Sequence, residues 1–128
     1  MDHNSIAEEW FHYANSDIEA AKFLQLMIPI PMEIICYHCQ QSSEKYLKGF
    51  IAKHGGEINK THDLITLNKL CARYNPKFSE ITDECVNLTD YGVQTRYPFE
   101  LEIHKEDVIL AIKCAEKIQT FVNQINGQ

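Results

Sequence analysis

Arg96 is one of only two arginines in the chain, and it stands in the irregular stretch between Tyr91-Gly92 and Tyr97-Pro98. The proline that follows favours an extended backbone before it. An arginine on such a loop offers a planar fork of donors to a phosphate; the competing use is a tie to a carboxylate such as Asp17. His104 follows with seven residues between, and an imidazole that titrates near working pH suits a general acid or base. Its plainer reading is an exposed residue beside the last helix. A third group is His38, Gln41, Lys45 and Lys48, spaced by three, four and three residues. On a helix that spacing makes one row. Two ammonium groups, an amide and an imidazole on one face suit a phosphate or nucleotide, or line a dimer interface, although a solvated helix face has the same pattern.

Asp17 breaks the pattern around it. It falls inside an otherwise apolar helix arc, where an ionised carboxylate must be paired or hydrogen-bonded. Its expected partners are Arg96, Lys45, His62 or the free N–H groups that open the third helix, and its expected role is structural. Cys36-x-x-Cys39 invites a metal or redox reading, but both thiols fall on the core stripe while His38 points away, and no second cysteine pair completes a tetrahedral zinc site. Neither a metal nor a cofactor is expected. For His62-Asp63, adjacent residues on a helix diverge, and capping accounts for Asp63.

The elements that must position these groups are helices. Ser5 with Glu8 has capping-box form and opens a first helix to about Met27. Ile6, Trp10, Tyr13, Ala14, Ile18, Ala21 and Leu24 form its apolar arc. A second helix runs from about Pro31 to about Lys53, with Met32, Cys36, Cys39, Ser43, Tyr46, Leu47 and Phe50 inward. Gln40 and Glu44 flank this stripe, and Gly55 or Gly56 closes the helix. Thr61 is placed to cap a third helix through Cys71. A fourth spans about Lys77 to Tyr91, and a fifth about Lys105 to Ile125. The fifth has Val108, Ala111, Ile112, Ala115, Ile118 and Val122 inward and an arc too wide for one neighbour. No segment alternates with period two. The expectation is an all-α, up-and-down antiparallel bundle of four to five helices, with residues 1–128 forming one domain.

The 128 residues are 45% hydrophobic and 23% charged, ordinary for a globular domain. The formal net charge of −6 argues against broad phosphate gripping of nucleic acid, so any such site is a local basic patch. No apolar run is long enough for a membrane span. The opening Met1-Asp2-His3-Asn4 has no basic region leading into an apolar one, so no secretory signal is expected. Five cysteines then read as reduced thiols in a cytoplasm.

The run from Tyr37 to Lys48, with His38, Gln40-Gln41, Glu44-Lys45 and Leu47-Lys48, resembles the second-helix signature of HEPN domains. Matching elements follow in the family's order: Trp10, Ala14, Asp17 and Ala21, then Thr61-His62-Asp63-Leu64, then Arg96-Tyr97-Pro98, then the alanine-rich last helix. The resemblance implies a helical bundle, usually a homodimer, linked to nucleotides or RNA. Some members are partners of minimal nucleotidyltransferases, often in toxin–antitoxin pairs. Others are metal-independent RNases that use an arginine and a nearby histidine. Arg96 and His104 stand farther apart than that motif allows, and Glu106 occupies the place where some toxin members carry a tyrosine. The expected function is a binding or regulatory module for nucleotide or RNA with a nucleotidyltransferase partner. Its rivals are a metal-independent endoribonuclease, with Arg96 and His104 catalytic at a dimer cleft, and a domain that only oligomerises.

Overall fold

Asp2, not Ser5, caps the first helix. Its carboxylate accepts from the Ser5 backbone N–H at 2.7 Å, so the helix α1 starts two residues earlier than Ser5 and runs His3–Leu24. The computed structural model describes residues 2–92 and 102–128 of the chain. Helix α2 spans Met32–Lys53 and is closed by Gly55, whose φ of +76° is the left-handed conformation that glycine adopts freely. Helix α3 spans Leu64–Tyr74. Its cap is Asp63, which accepts from Ile65 N–H at 3.1 Å; Thr61, expected in that place, instead accepts from Asp63 N–H through its hydroxyl.

The region expected as one long fourth helix is divided. A 3₁₀ turn over Pro76–Ile81 precedes helix α4, Thr82–Thr89, and a second 3₁₀ turn covers Asp90–Gly92. The cause is local. Asn75 caps Lys77 N–H at 3.0 Å with Pro76 leading. Phe78 and Ile81, three residues apart, then stack inward at the period of a 3₁₀ helix. Helix α5, Lys105–Asn126, starts where Asp107 reaches back to accept from His104 N–H at 2.8 Å.

Helix α2 is the centre of the bundle and touches each of the other four α-helices. Asp17 beside Lys45 and Trp10 beside Gly49 set α1 antiparallel to it. Gln119 on Tyr46 and Lys53 on the Asn126 carbonyl set α5 running in the same direction as α2. At Gly49 the α1–α2 approach is so close that a Cβ would lie 2.5 Å from the Phe11 ring. All-α is therefore the fold class, with no strand among the described residues.

The core runs through Ile18, Ile35, Leu47, Phe50, Leu64, Leu67, Phe78, Leu88 and Ile118, all shut off from water. The six inward positions expected of α5 are buried. Its wide arc is covered within the chain by α1, α2, α4 and the first 3₁₀ turn. Helix α1 is narrower than its sequence arc: Ala7, Ala14, Ile18 and Ala21 are buried, whereas Tyr13 faces water because α2 covers one stripe only. Among the described residues no helix is long and apolar enough to cross a membrane.

Candidate functional site

The outward side of α2 is a continuous polar band, because Gln40, Gln41, Glu44, Lys45 and Lys48 recur at three- and four-residue spacing. It is not a solvated face. Helix α1 borders it on one side and the segment leading to α3 on the other, and Gln40, Glu44 and Lys48 are buried. Two carboxylates organise it.

Asp17, its side chain 13% exposed, is the first. It meets His38 Nδ1 at 2.9 Å through one oxygen and the Lys45 ammonium through the other. Of the partners expected from sequence, Lys45 is present; His38 is the one sequence reasoning did not choose, and His62 is engaged elsewhere. Burial pushes the Asp17 carboxyl up, but hydrogen bonds from His38 and Lys45 outweigh it and hold the group below its ordinary value of 3.8. A lowered folded-state value makes the pair a source of stability above pH 3.8, lost as pH falls below it towards the folded value. Asp17→Asn should therefore lower stability to urea at pH 7, and the gap from the parent should shrink at about pH 3. A gap independent of pH would show that the carboxylate is not held ionised.

Glu44 is the second. Its Oε2 accepts from Lys48 Nζ at 3.0 Å and its Oε1 from Gln40 Nε2 at 3.2 Å, while His62 Nδ1 lies 3.0 and 3.1 Å from the two oxygens. Gln40 also donates to the His62 carbonyl at 2.9 Å and accepts from Gln41 at 2.8 Å. Lys48 sits over the Trp10 ring, 5.8 Å from its centroid, a favourable cation–π placement. Gly92 closes over Gln40 so tightly that a Cβ would lie 2.7 Å from its amide nitrogen. Among the described residues, Lys45 and Lys48 thus stand paired with Asp17 and Glu44 along the band, and the imidazoles of His38 and His62 each share one of those carboxylates.

Helices in this order, carrying this band, match one family along almost the whole chain: the model of the HEPN domain covers residues 7–125. The chain belongs to the HEPN family. Its fold is similar to that of ST0689, described as an archaeal HEPN homologue, with 25% identity, a TM-score of 0.70, and 92% of this chain and 95% of that one covered. It is also similar to TT1696 from Thermus thermophilus, with 22% identity, a TM-score of 0.73, and 92% and 96% covered. No curated protein matches the chain. HEPN domains include nucleotide-binding and RNase modules and commonly dimerise.

In this HEPN domain the residues singled out by sequence are only partly brought together. His38, Gln41, Lys45 and Lys48 share the α2 band with Asp17. His104 stands apart as the N-terminal neighbour of α5, its side chain 62% exposed and its Nε2 3.7 Å from Glu102. Among the described contacts none joins it to the band; Arg96, with Tyr97 and Pro98, lies outside the described residues. Cys36 and Cys39 are buried, and burial raises their thiols, Cys36 to about 11 and Cys39 further. Among the described residues no cluster of histidine, cysteine and carboxylate could hold a metal ion. Sequence reasoning missed Glu44, Gln40 and His62 as a unit. The run of Gln40, Glu44 and Lys48 at four-residue spacing carried a signal for its α2 half; nothing local linked it to His62.

Proposed function

We propose that this HEPN domain is a binding and regulatory module, taking a nucleotide or an RNA phosphate on the α2 band. In this reading it works as a homodimer beside a minimal nucleotidyltransferase, in the manner of a toxin–antitoxin pair. The observation that carries the proposal is the desolvation of the band. A merely solvated helix face would leave its lysines in water, whereas here Lys45 and Lys48 are held in place by Asp17 and Glu44. Lys45 remains partly open, and an ammonium that gives one hydrogen bond to Asp17 keeps two more donors for a phosphate. Gln41 beside it presents a further amide.

The test is a thermal-shift and calorimetric series with nucleotides and short RNA. A ligand selective for the native state raises the melting temperature, by the equivalent of about 2.7 kcal/mol at a hundredfold excess over Kd. Gln41→Glu touches neither Asp17 nor Glu44 directly, removes one donor to Gln40 and adds an anion to the band, so affinity should fall about tenfold or more, near 1.4 kcal/mol. Binding unchanged in that variant would move the ligand off α2. Size-exclusion at several concentrations and co-purification from the native cell test the homodimer and the nucleotidyltransferase partner. A monomer that brings no such partner ends that part of the proposal.

A further inference from the structure

Where α2 ends, the chain turns back and leaves a recess of about 350 Å³ between α2, α3 and the segment that joins them. Small-ligand sites begin near this size, at roughly 300 Å³. The turn shapes it: after Gly55 reverses the chain, the Gly56 N–H returns to the Ile51 carbonyl at 3.0 Å. A Cβ at Gly56 would lie 2.6 Å from the Tyr74 hydroxyl and 2.7 Å from the Ile51 side chain, so no side chain fits between them. Ile51, 3% exposed, is the floor. On α3, Leu70, Arg73 and Tyr74 stand at i, i+3 and i+4, which is one helix face, and that face is a wall of the recess. The Tyr74 ring is held by His54, stacked on it with centroids 5.1 Å apart, and His54 in turn packs on Phe50 at 4.4 Å. Glu57 and Ile58, just past the turn, line the recess from the joining segment.

The recess carries one charge of each sign around an apolar bed. Arg73 and Glu57 both line it, yet among the described residues neither enters an ion pair, with the other or with any other group. The last turn of α3 suits an arginine through the helix dipole. That placement does not account for Ile58 and Tyr74, left 39% and 45% exposed on the same recess. A guanidinium takes a carboxylate through its planar fork of donors, and a carboxylate takes an ammonium through charge-assisted hydrogen bonds. The bed between them takes hydrocarbon. A ligand that answers all three is small, zwitterionic and apolar at its remaining end. We propose that this recess binds a free α-amino acid with a large apolar or aromatic side chain. Its carboxylate meets Arg73, its ammonium meets Glu57, and its side chain lies among Ile51, Ile58 and Tyr74. The site does not depend on the phosphate reading of the band, since Ile51 stands about 15 Å along α2 from Gln41 at the helical rise per residue.

The test is calorimetric titration of the full chain with L-phenylalanine and L-leucine, beside two half-ligands. Hydrocinnamate lacks the ammonium, and phenethylamine lacks the carboxylate. At least one amino acid should bind saturably, and each half-ligand should bind about tenfold or more weaker than L-phenylalanine. Arg73→Gln and Glu57→Gln should each weaken the amino acid about tenfold, and Ile58→Trp, which fills the recess, should abolish its binding. All three residues are exposed, so the unliganded variants should melt close to the parent, and thermal melts check that they fold. Gln41→Glu, on the band, should leave the amino-acid affinity unchanged. No binding of either amino acid up to about 10 mM, well past a millimolar Kd, overturns the proposal. Hydrocinnamate bound as tightly as L-phenylalanine takes Glu57 out of the site and overturns the zwitterion. Affinity undiminished in both Arg73→Gln and Ile58→Trp, or lost in Gln41→Glu, puts the ligand outside the recess and overturns the site itself. Nucleotide or RNA binding that fails while L-phenylalanine binds removes the reading of the band alone.

Discussion

Glu44→Ala should lower the stability of the domain by about 3–5 kcal/mol, the range found when one partner of a buried ion pair is removed. The magnitude follows from what stays behind. Among the described residues, Lys48, its side chain 7% exposed, would keep only the Trp10 ring as a favourable contact. Gln40 would lose one of its acceptors and His62 the group that holds its ring. The ammonium must then shed its proton or draw water into the bundle, and either route is unfavourable. A double variant, Glu44→Gln with Lys48→Met, separates the pair from its orphan. With no charge left uncompensated it should lie much closer to the parent, because replacing a buried ion pair by uncharged groups is often neutral. A double-mutant cycle in urea measures the coupling. A single-variant loss below about 1 kcal/mol would mean that water already reaches Lys48, and the desolvated band would have to be abandoned.

The same network marks the boundary of what the sequence discloses. Helices α2 and α5 are legible because their apolar residues repeat at helical period over twenty-two residues each and the structure buries nearly all of those positions. Asp17 is legible as an anomaly, a carboxylate in an apolar arc, and Lys45 was among its expected partners. His38 was not, although it neighbours Lys45 on the same side of α2. Periodicity says which residues share a face but not that α1 lies along the edge of that face. Lys48 looks like a surface lysine for the same reason. Among the described contacts it lies over Trp10 and pairs with Glu44, and the contact of Glu44 with His62 spans eighteen residues. The division of the fourth helix was missed because Phe78 and Ile81, three apart, fit an α and a 3₁₀ spacing equally well. The choice lay in the Asn75 cap with Pro76 after it. For the HEPN resemblance, order along the chain was sufficient evidence; for the site, it was not.

Stability and site chemistry can be separated at Phe50. It is buried, its ring 4.5 Å from the Phe78 centroid and 4.4 Å from His54, with Tyr74 at 6.4 Å. Phe50 therefore joins α2 to α3 and to the first 3₁₀ turn through aromatic contact. Phe50→Ala should cost about 3–5 kcal/mol, the lost transfer energy plus the cavity left where Phe78 cannot follow. Chemical denaturation measures it, and a loss under about 1 kcal/mol would mean that the 3₁₀ turn collapses freely onto α2. Phe50→Leu keeps most of the volume and should cost less, about 1.5 kcal/mol or under. The milder variant is the informative one. Phe50 points into the core, whereas Glu44 and Lys48 hold the polar band, so Phe50→Leu should melt earlier while keeping the parent's affinity for nucleotide or RNA. If that affinity fell in step with stability, ligand binding would rest on the general rigidity of the bundle and not on the band.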